Sequence, residues 1–226
     1  MTAAGGLISL LVGTVLLRLT LNGTYARYVR LGMGPPLAIA GAAVIVLGLV
    51  TLLHAFRHTN PVDAHDHRGG NRVGWLLLAP IAALLLVAPP TLGSYGVGRG
   101  AEVDIRSGGS VLDRLEPGAA PIPMTLLEFG QRAVDQDGVS FNGATVQLTG
   151  FVAGAEKGGF RLARYQIACC AADAAPVVLR VVGTGAGPAR DRWVTVTGTF
   201  QPGGGEMPEL AATNVVEIPA PLDPYE

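Results

Sequence analysis

The chain has 226 residues, of which 49% are hydrophobic and only 15% charged, with a net charge of −1. That balance is too apolar for an ordinary soluble domain and points to membrane spans. Residues 1–100 carry seven Arg, no Lys and two Asp, a net of +5, and residues 101–226 carry nine Lys or Arg against fifteen Asp or Glu, a net of −6. The two halves are therefore different materials, and the acidic half speaks against a phosphate-binding surface and a nucleic-acid partner.

Residues 5–21 are apolar except for Arg18. At about 17 residues the run reaches the lower limit for a spanning helix. It lacks the basic start and small-residue cleavage site of a signal peptide, so we expect a retained helix with Arg18 reaching the interface. The loop that follows carries Tyr25, Arg27, Tyr28 and Arg30, an interfacial mixture. Residues 37–56 form the clearest span. Gly41 and Gly48 stand seven apart and so share a helix face, where small residues admit a neighbouring helix. Ordinary glycine use in membrane helices explains them equally well.

Residues 57–72 form a polar loop, and every histidine of the protein falls within residues 54–67. His65, Asp66 and His67 are consecutive, and imidazole and carboxylate suit zinc and similar ions. A solvated hydrophilic loop is the competing reading. Residues 73–92 make a third expected span, kinked at Pro80. The arginines are divided five against three between the two sides, which sets the C-terminal domain on the cytoplasmic side.

Residues 96–124 read as a Gly- and Pro-rich tether between an anchor (1–95) and a soluble domain (125–226). Within that domain a short helix is expected over 125–134, with Thr125 as its cap and Glu128 three residues on. Gly138 is expected to end it. Strands are expected over 145–152, 160–167, 177–182, 193–200 and 209–218, separated by Gly-rich turns. The fold class is thus an α-helical membrane region of three helices plus a small all-β, OB-like barrel domain with short helices. An open five-stranded sheet is the alternative.

Both cysteines, Cys169 and Cys170, stand side by side at the expected end of the second strand. Ala171–Asp173 and the two alanines after it favour a helical turn, and Pro176 ends it. Adjacent strand residues face opposite sides, so the two thiols converge only if the strand stops at Cys169. An adjacent pair is poorly shaped for a disulfide and lacks the spacing of thiol-exchange motifs. Two thiolates with Asp173 nearby are candidate metal ligands, with His65 and His67 as a second set. The domain holds no histidine, so a complete Cys/His site cannot form within it. Buried cysteines that merely pack are the plain alternative, and Asp173 has its own as a turn acceptor. No catalytic dyad is visible, so no enzymatic activity is expected.

The run over 164–182, R-x-x-I-x-C-C-x-A-D-A with the strand after it, the later W-V-x-V-x-G-T-F and the terminal Leu222-Asp223-Pro224-Tyr225 resemble bacterial membrane proteins of the YcgQ type, the DUF1980 family, whose members are described as permease subunits. The layout is similar over nearly the whole chain, although the histidine loop is sparser here than in some relatives. The resemblance implies a multi-spanning permease partner of the YraQ (DUF318) type, in a two-component complex in the plasma membrane. It also implies a link to zinc or another divalent metal, and an extracytoplasmic domain, against the arginine count. A membrane-tethered thiol redox protein or sensor is the alternative function. An OB-type oligonucleotide or glycan binder is a third, disfavoured by the acidic charge and the lack of a stacking platform.

Overall fold

The computed structural model describes residues 3–57, 92–99, 102–105, 112–185, 187–203 and 207–226. The expected third span and the histidine loop, with His65 and His67, lie outside the described residues. The chain divides into two compact units, residues 1–91 and 92–226.

In the first unit, α1 (Ala3–Leu21) and α2 (Gly34–Arg57) pack against each other. Both are long and apolar enough to cross a membrane. Two short 3-10 turns join them, and Tyr25 Oη donates to the Leu31 carbonyl at 2.8 Å to close the connection. The pair runs antiparallel, because Gly6 near the start of α1 meets Gly48 near the end of α2, while Gly13 meets Gly41. A methyl group on Gly48 would stand 3.0 Å from the Gly6 carbonyl oxygen, and one on Gly13 2.9 Å from the Gly41 carbonyl oxygen. Each helix thus brings two glycines seven apart to one seam, and the backbones approach to carbonyl contact. Of the two readings of Gly41 and Gly48, the packing one holds. Their neighbour is α1. Large side chains on the other faces, such as Leu7, Leu11, Ile39, Leu47 and Phe56, remain exposed.

The second unit contains β1 (Ile122–Pro123), α3 (Leu126–Val134), β2 (Thr145–Glu156), β3 (Gly159–Gln166), β4 (Ala175–Val182), β5 (Trp193–Gln201) and β6 (Glu209–Ile218). Thr125 caps α3 as expected, its hydroxyl accepting from Glu128 N–H at 3.0 Å. The helix stops at Val134, four residues before Gly138. There Gln136, Asp137 and Gly138 adopt left-handed backbone, and the Phe200 ring fills the space that any Gly138 side chain would need. The five long strands lie where alternation puts them, with ends extended by at most four residues.

The six strands form one sheet in the order β1-β2-β3-β4-β6-β5. β5 pairs with β2 as well as β6, so the hydrogen-bonded ladder returns to its start. β4 and β6 are parallel, whereas the β2–β3, β3–β4, β2–β5 and β5–β6 contacts are antiparallel. One face carries Val146, Leu148, Phe160, Leu162, Leu179, Val181, Val194, Val196 and Leu210, covered by Leu126 and Phe129 of α3. The opposite face of β2, β3 and β4 carries a second cluster around Phe151, Ala163, Tyr165 and Val178, joined by Ile167 just past β3 and by Trp193 of β5. This alternation is the strand period read in three dimensions.

Residues 92–97, read as the end of the anchor and the start of the tether, contribute to that second layer. Leu92 and Val97 pack on it, Tyr165 Oη donates to the Gly93 carbonyl at 3.0 Å, and Ser94 N–H donates to Asp191 at 2.7 Å. Val103 and Ile105 reach the main core, and Val103 N–H donates to the Pro176 carbonyl. Glycine and proline hide these contacts in the sequence because single apolar residues anchor them without any repeating pattern.

Candidate metal centre at the Cys169–Asp173 turn

β3 and β4 pair as far as Gln166 opposite Ala175. The eight residues between them make the turn that carries both thiols. Ile167 is buried in the second apolar layer and Ala174 packs on it, so the turn is pinned at both ends. Ladder pairing ends before Cys169, and Ala171–Asp173 form one 3-10 turn. The strand break therefore does what alternation forbids. The Sγ atoms of Cys169 and Cys170 and a carboxylate oxygen of Asp173 all lie within 4.8 Å of one another. Cys169 is exposed and Cys170 half-buried, and neither is in a disulfide. Buried packing does not describe Cys169.

Asp173 holds the turn together. Its Oδ1 accepts from Ala168 N–H at 2.9 Å, and its Oδ2 accepts from Cys169 N–H at 2.9 Å and Cys170 N–H at 3.4 Å. The expectation that Asp173 serves as a turn acceptor is met. The acceptor role and a ligand role are compatible, because a carboxylate offers about four lone-pair directions. The Cys169 thiol donates to the same carboxylate. That hydrogen bond, with the backbone N–H of Cys169 next in weight, lowers the Asp173 pKa to about 2. The reciprocal effect of Asp173, followed by that of Cys170, pushes the Cys169 thiol up to about 12. Cys169 is thus a protonated hydrogen-bond donor in this turn at neutral pH. Nucleophilic and redox thiols need the opposite shift.

Two thiols and one carboxylate form a mixed sulfur–oxygen donor set of the kind zinc accepts. Cys169, Cys170 and Asp173 would hold the ion, with the two thiolates as the main ligands. His65 and His67 fall outside the described residues. A recess of about 650 Å³ near Ala133, Phe200 and Met207 contains neither thiol, and neither do the smaller ones beside Trp193 and beside Ser94.

Sequence reading gave no role to Arg164 or Glu226. Arg164 sits on the core-facing side of β3, in register with Val177. Its Nη2 donates to the carbonyls of Asp223 at 2.8 Å and Tyr225 at 3.0 Å. Glu226 in turn accepts from Leu126 and Leu127 N–H through its side chain, capping α3. Burial raises the Glu226 pKa. The C-terminal segment is thereby fastened beside β3, where Tyr225 bridges to Tyr165 and Ile167 N–H donates to the Glu226 carbonyl. The available signal was an arginine at an inward position of an alternating strand, following Phe160 and Leu162.

Residues 131–226 match the model of the DUF1980 C-terminal domain, a span that includes the thiol turn, Arg164 and the terminal segment. Over these residues the chain is similar to the DUF1980 C-terminal domain. No curated protein matches the sequence. The matched residues thus hold β2 to β6, the turn and the Arg164 clasp, while β1 and the start of α3 lie just ahead of them.

Proposed function

We propose that this protein is a membrane-anchored accessory subunit of a two-component permease complex that handles zinc or a similar divalent ion. The observation that carries the reading is the convergence of Cys169, Cys170 and Asp173 within 4.8 Å on an exposed turn. An exposed, pre-assembled donor set suits contact with a passing ion better than core packing does. α1 and α2, with their outward-facing large apolar side chains, support anchoring in a bilayer. The run at residues 73–92 completes a three-helix anchor in this reading, and the DUF1980 domain stands outside the cytoplasm of the cell. The returning ladder, with β4 and β6 parallel and the other contacts among β2 to β6 antiparallel, supports an OB-type barrel.

The partner in this proposal is a multi-spanning permease of the YraQ type, and His65 and His67 form a second, low-affinity metal site. The protein works by binding and positioning, without catalysis. A thiol redox role is the weaker reading, because the two adjacent thiols lack the spacing of exchange motifs.

Gentle detergent purification of tagged full-length protein from its own membranes tests the subunit reading. A stoichiometric multi-spanning permease in the eluate is expected, and recovery of the protein alone overturns it. Exchange of both cysteines for serine should abolish the transport-linked phenotype while the protein persists in the membrane. Loss of the protein itself would assign the cysteines a structural role.

A further inference from the structure

We infer that the Cys169–Cys170–Asp173 turn is an exchange site, which takes a thiophilic divalent ion of the zinc class with three donors and leaves one coordination position open for the ligand that delivers or receives it. This inference rests on the metal-handling reading above and adds the class of ion and the mode of handling.

Three observations carry it. The donor set is two sulfurs and one carboxylate oxygen. Hard ions such as magnesium, calcium and manganese take oxygen donors, whereas thiolates select softer ions, and the carboxylate favours zinc over a purely thiolate-loving ion such as copper(I). The second observation is the count. Closed zinc sites use four protein ligands, and sites that act on a fourth group use three. Residues 92–226 contain no histidine and no third cysteine. Cys169, Cys170 and Asp173 are the one donor group of this kind among the described residues. The third is exposure. Both Cys169 and Asp173 are open to solvent and Cys170 is half-buried, so an incoming ligand reaches the ion directly.

The spacing fits with little movement. Two sulfurs bonded at about 2.3 Å to a tetrahedral ion stand about 3.8 Å apart, within reach of donors already inside 4.8 Å. The Asp173 anchors to Ala168, Cys169 and Cys170 hold the turn while the thiols reorient. Loading breaks two S–H bonds and the metal–water bonds that these donors replace, forms two S–metal bonds and one Asp173 oxygen–metal bond, and passes two protons to water. No oxidant or reductant takes part. Unloading is ligand exchange, with the open position admitting the acceptor's donor before the thiolates leave.

The test uses full-length protein in detergent, with cobalt(II) as a spectroscopic substitute for zinc and manganese(II) as the hard competitor. The expected result is one cobalt per chain, with an absorption band from cobalt–thiolate bonds that zinc abolishes and manganese does not. Added imidazole should shift the visible spectrum by entering the fourth position, and a small chelator should strip the ion rapidly. Cys169→Ser with Cys170→Ser should lose the thiolate band, while Trp193 fluorescence confirms that the domain stays folded. Absence of any cobalt binding overturns the metal reading itself. Binding that resists chelator and ignores imidazole leaves the metal reading standing and overturns the exchange site. Displacement by manganese overturns the assigned class of ion.

Discussion

The helical hairpin and the DUF1980 domain are both stabilised by close packing, but they bury opposite things. In the hairpin the buried seam is glycine: Gly6, Gly13, Gly41 and Gly48 bring backbone against backbone, while leucine, isoleucine and phenylalanine point outward. In the domain the large residues are inside. Phe160, Leu162, Leu179 and Leu210 are wholly buried, and the outer positions hold Arg180, Glu156 and Glu209 in an ion-pair cluster. The difference is the one that the proposed membrane-spanning hairpin would show beside a domain in water. Water drives apolar side chains together, whereas in lipid there is no such drive between helices and shape complementarity takes over. The thiol turn belongs to the water-facing regime, which lets charged donors and an incoming ion meet.

The largest expected effect tests the domain side. Phe160→Ala removes a wholly buried ring from the main cluster and should cost about 3–5 kcal/mol. Denaturant unfolding followed by Trp193 fluorescence measures it. A loss near zero would mean that the domain core lies elsewhere. Arg164→Ala comes next. It strips the carbonyls of Asp223 and Tyr225 of a charged donor, at about 1.5–3 kcal/mol. Hydrogen exchange at Glu226 N–H, which donates to the Tyr165 carbonyl, should then rise well ahead of exchange in β4. Uniform acceleration across both would refute a local clasp.

The hairpin predicts the reverse sensitivity. Gly48→Leu overfills a seam where a methyl group already stands 3.0 Å from a backbone oxygen, at a cost of about 1–3 kcal/mol. Ile39→Ala, on a side chain 71% exposed, should change helix pairing by less than about 0.5 kcal/mol. Interhelical distances from paired spin labels in a bilayer separate the two. If Ile39→Ala parts the helices and Gly48→Leu does not, the seam is misassigned.

The smallest effect concerns the turn. The Asp173 pKa is lowered to about 2 from its ordinary 3.8. Its contribution to the turn is therefore complete above the ordinary carboxylate value and is lost as pH falls from there towards about 2. Amide shifts of Ala168 and Cys169 should titrate in that window. A midpoint at or above the ordinary value would show that the carboxylate does not hold the turn. The Cys169 thiol moves the other way, up to about 12 from 9.0. Alkylation of Cys169 should be slow through mildly alkaline pH, and Asp173→Asn should speed it. Unchanged rates would remove the thiol–carboxylate contact.

Period alone determined much of this protein. The alternation over Trp193–Gln201 and Glu209–Ile218 needed nothing beyond side-chain order to declare strands, and Thr125 with Glu128 marked the start of α3. Local chemistry also placed the thiols at a strand end, because Ala171–Asp173 cannot continue the pairing pattern. What the tertiary structure decided is every pairing between residues far apart in the chain. The parallel contact of β4 with β6, the docking of Leu92 and Val97 on the second layer, and the Arg164 clasp on Tyr225 each join such residues. The match of Gly6 and Gly13 to Gly48 and Gly41 is of the same kind. Local propensity acts within a turn or a strand, whereas these contacts depend on which faces the folded chain brings together. The turn shows both levels at once: sequence put Cys169, Cys170 and Asp173 within five residues, and the folded backbone turned all three donors towards one point.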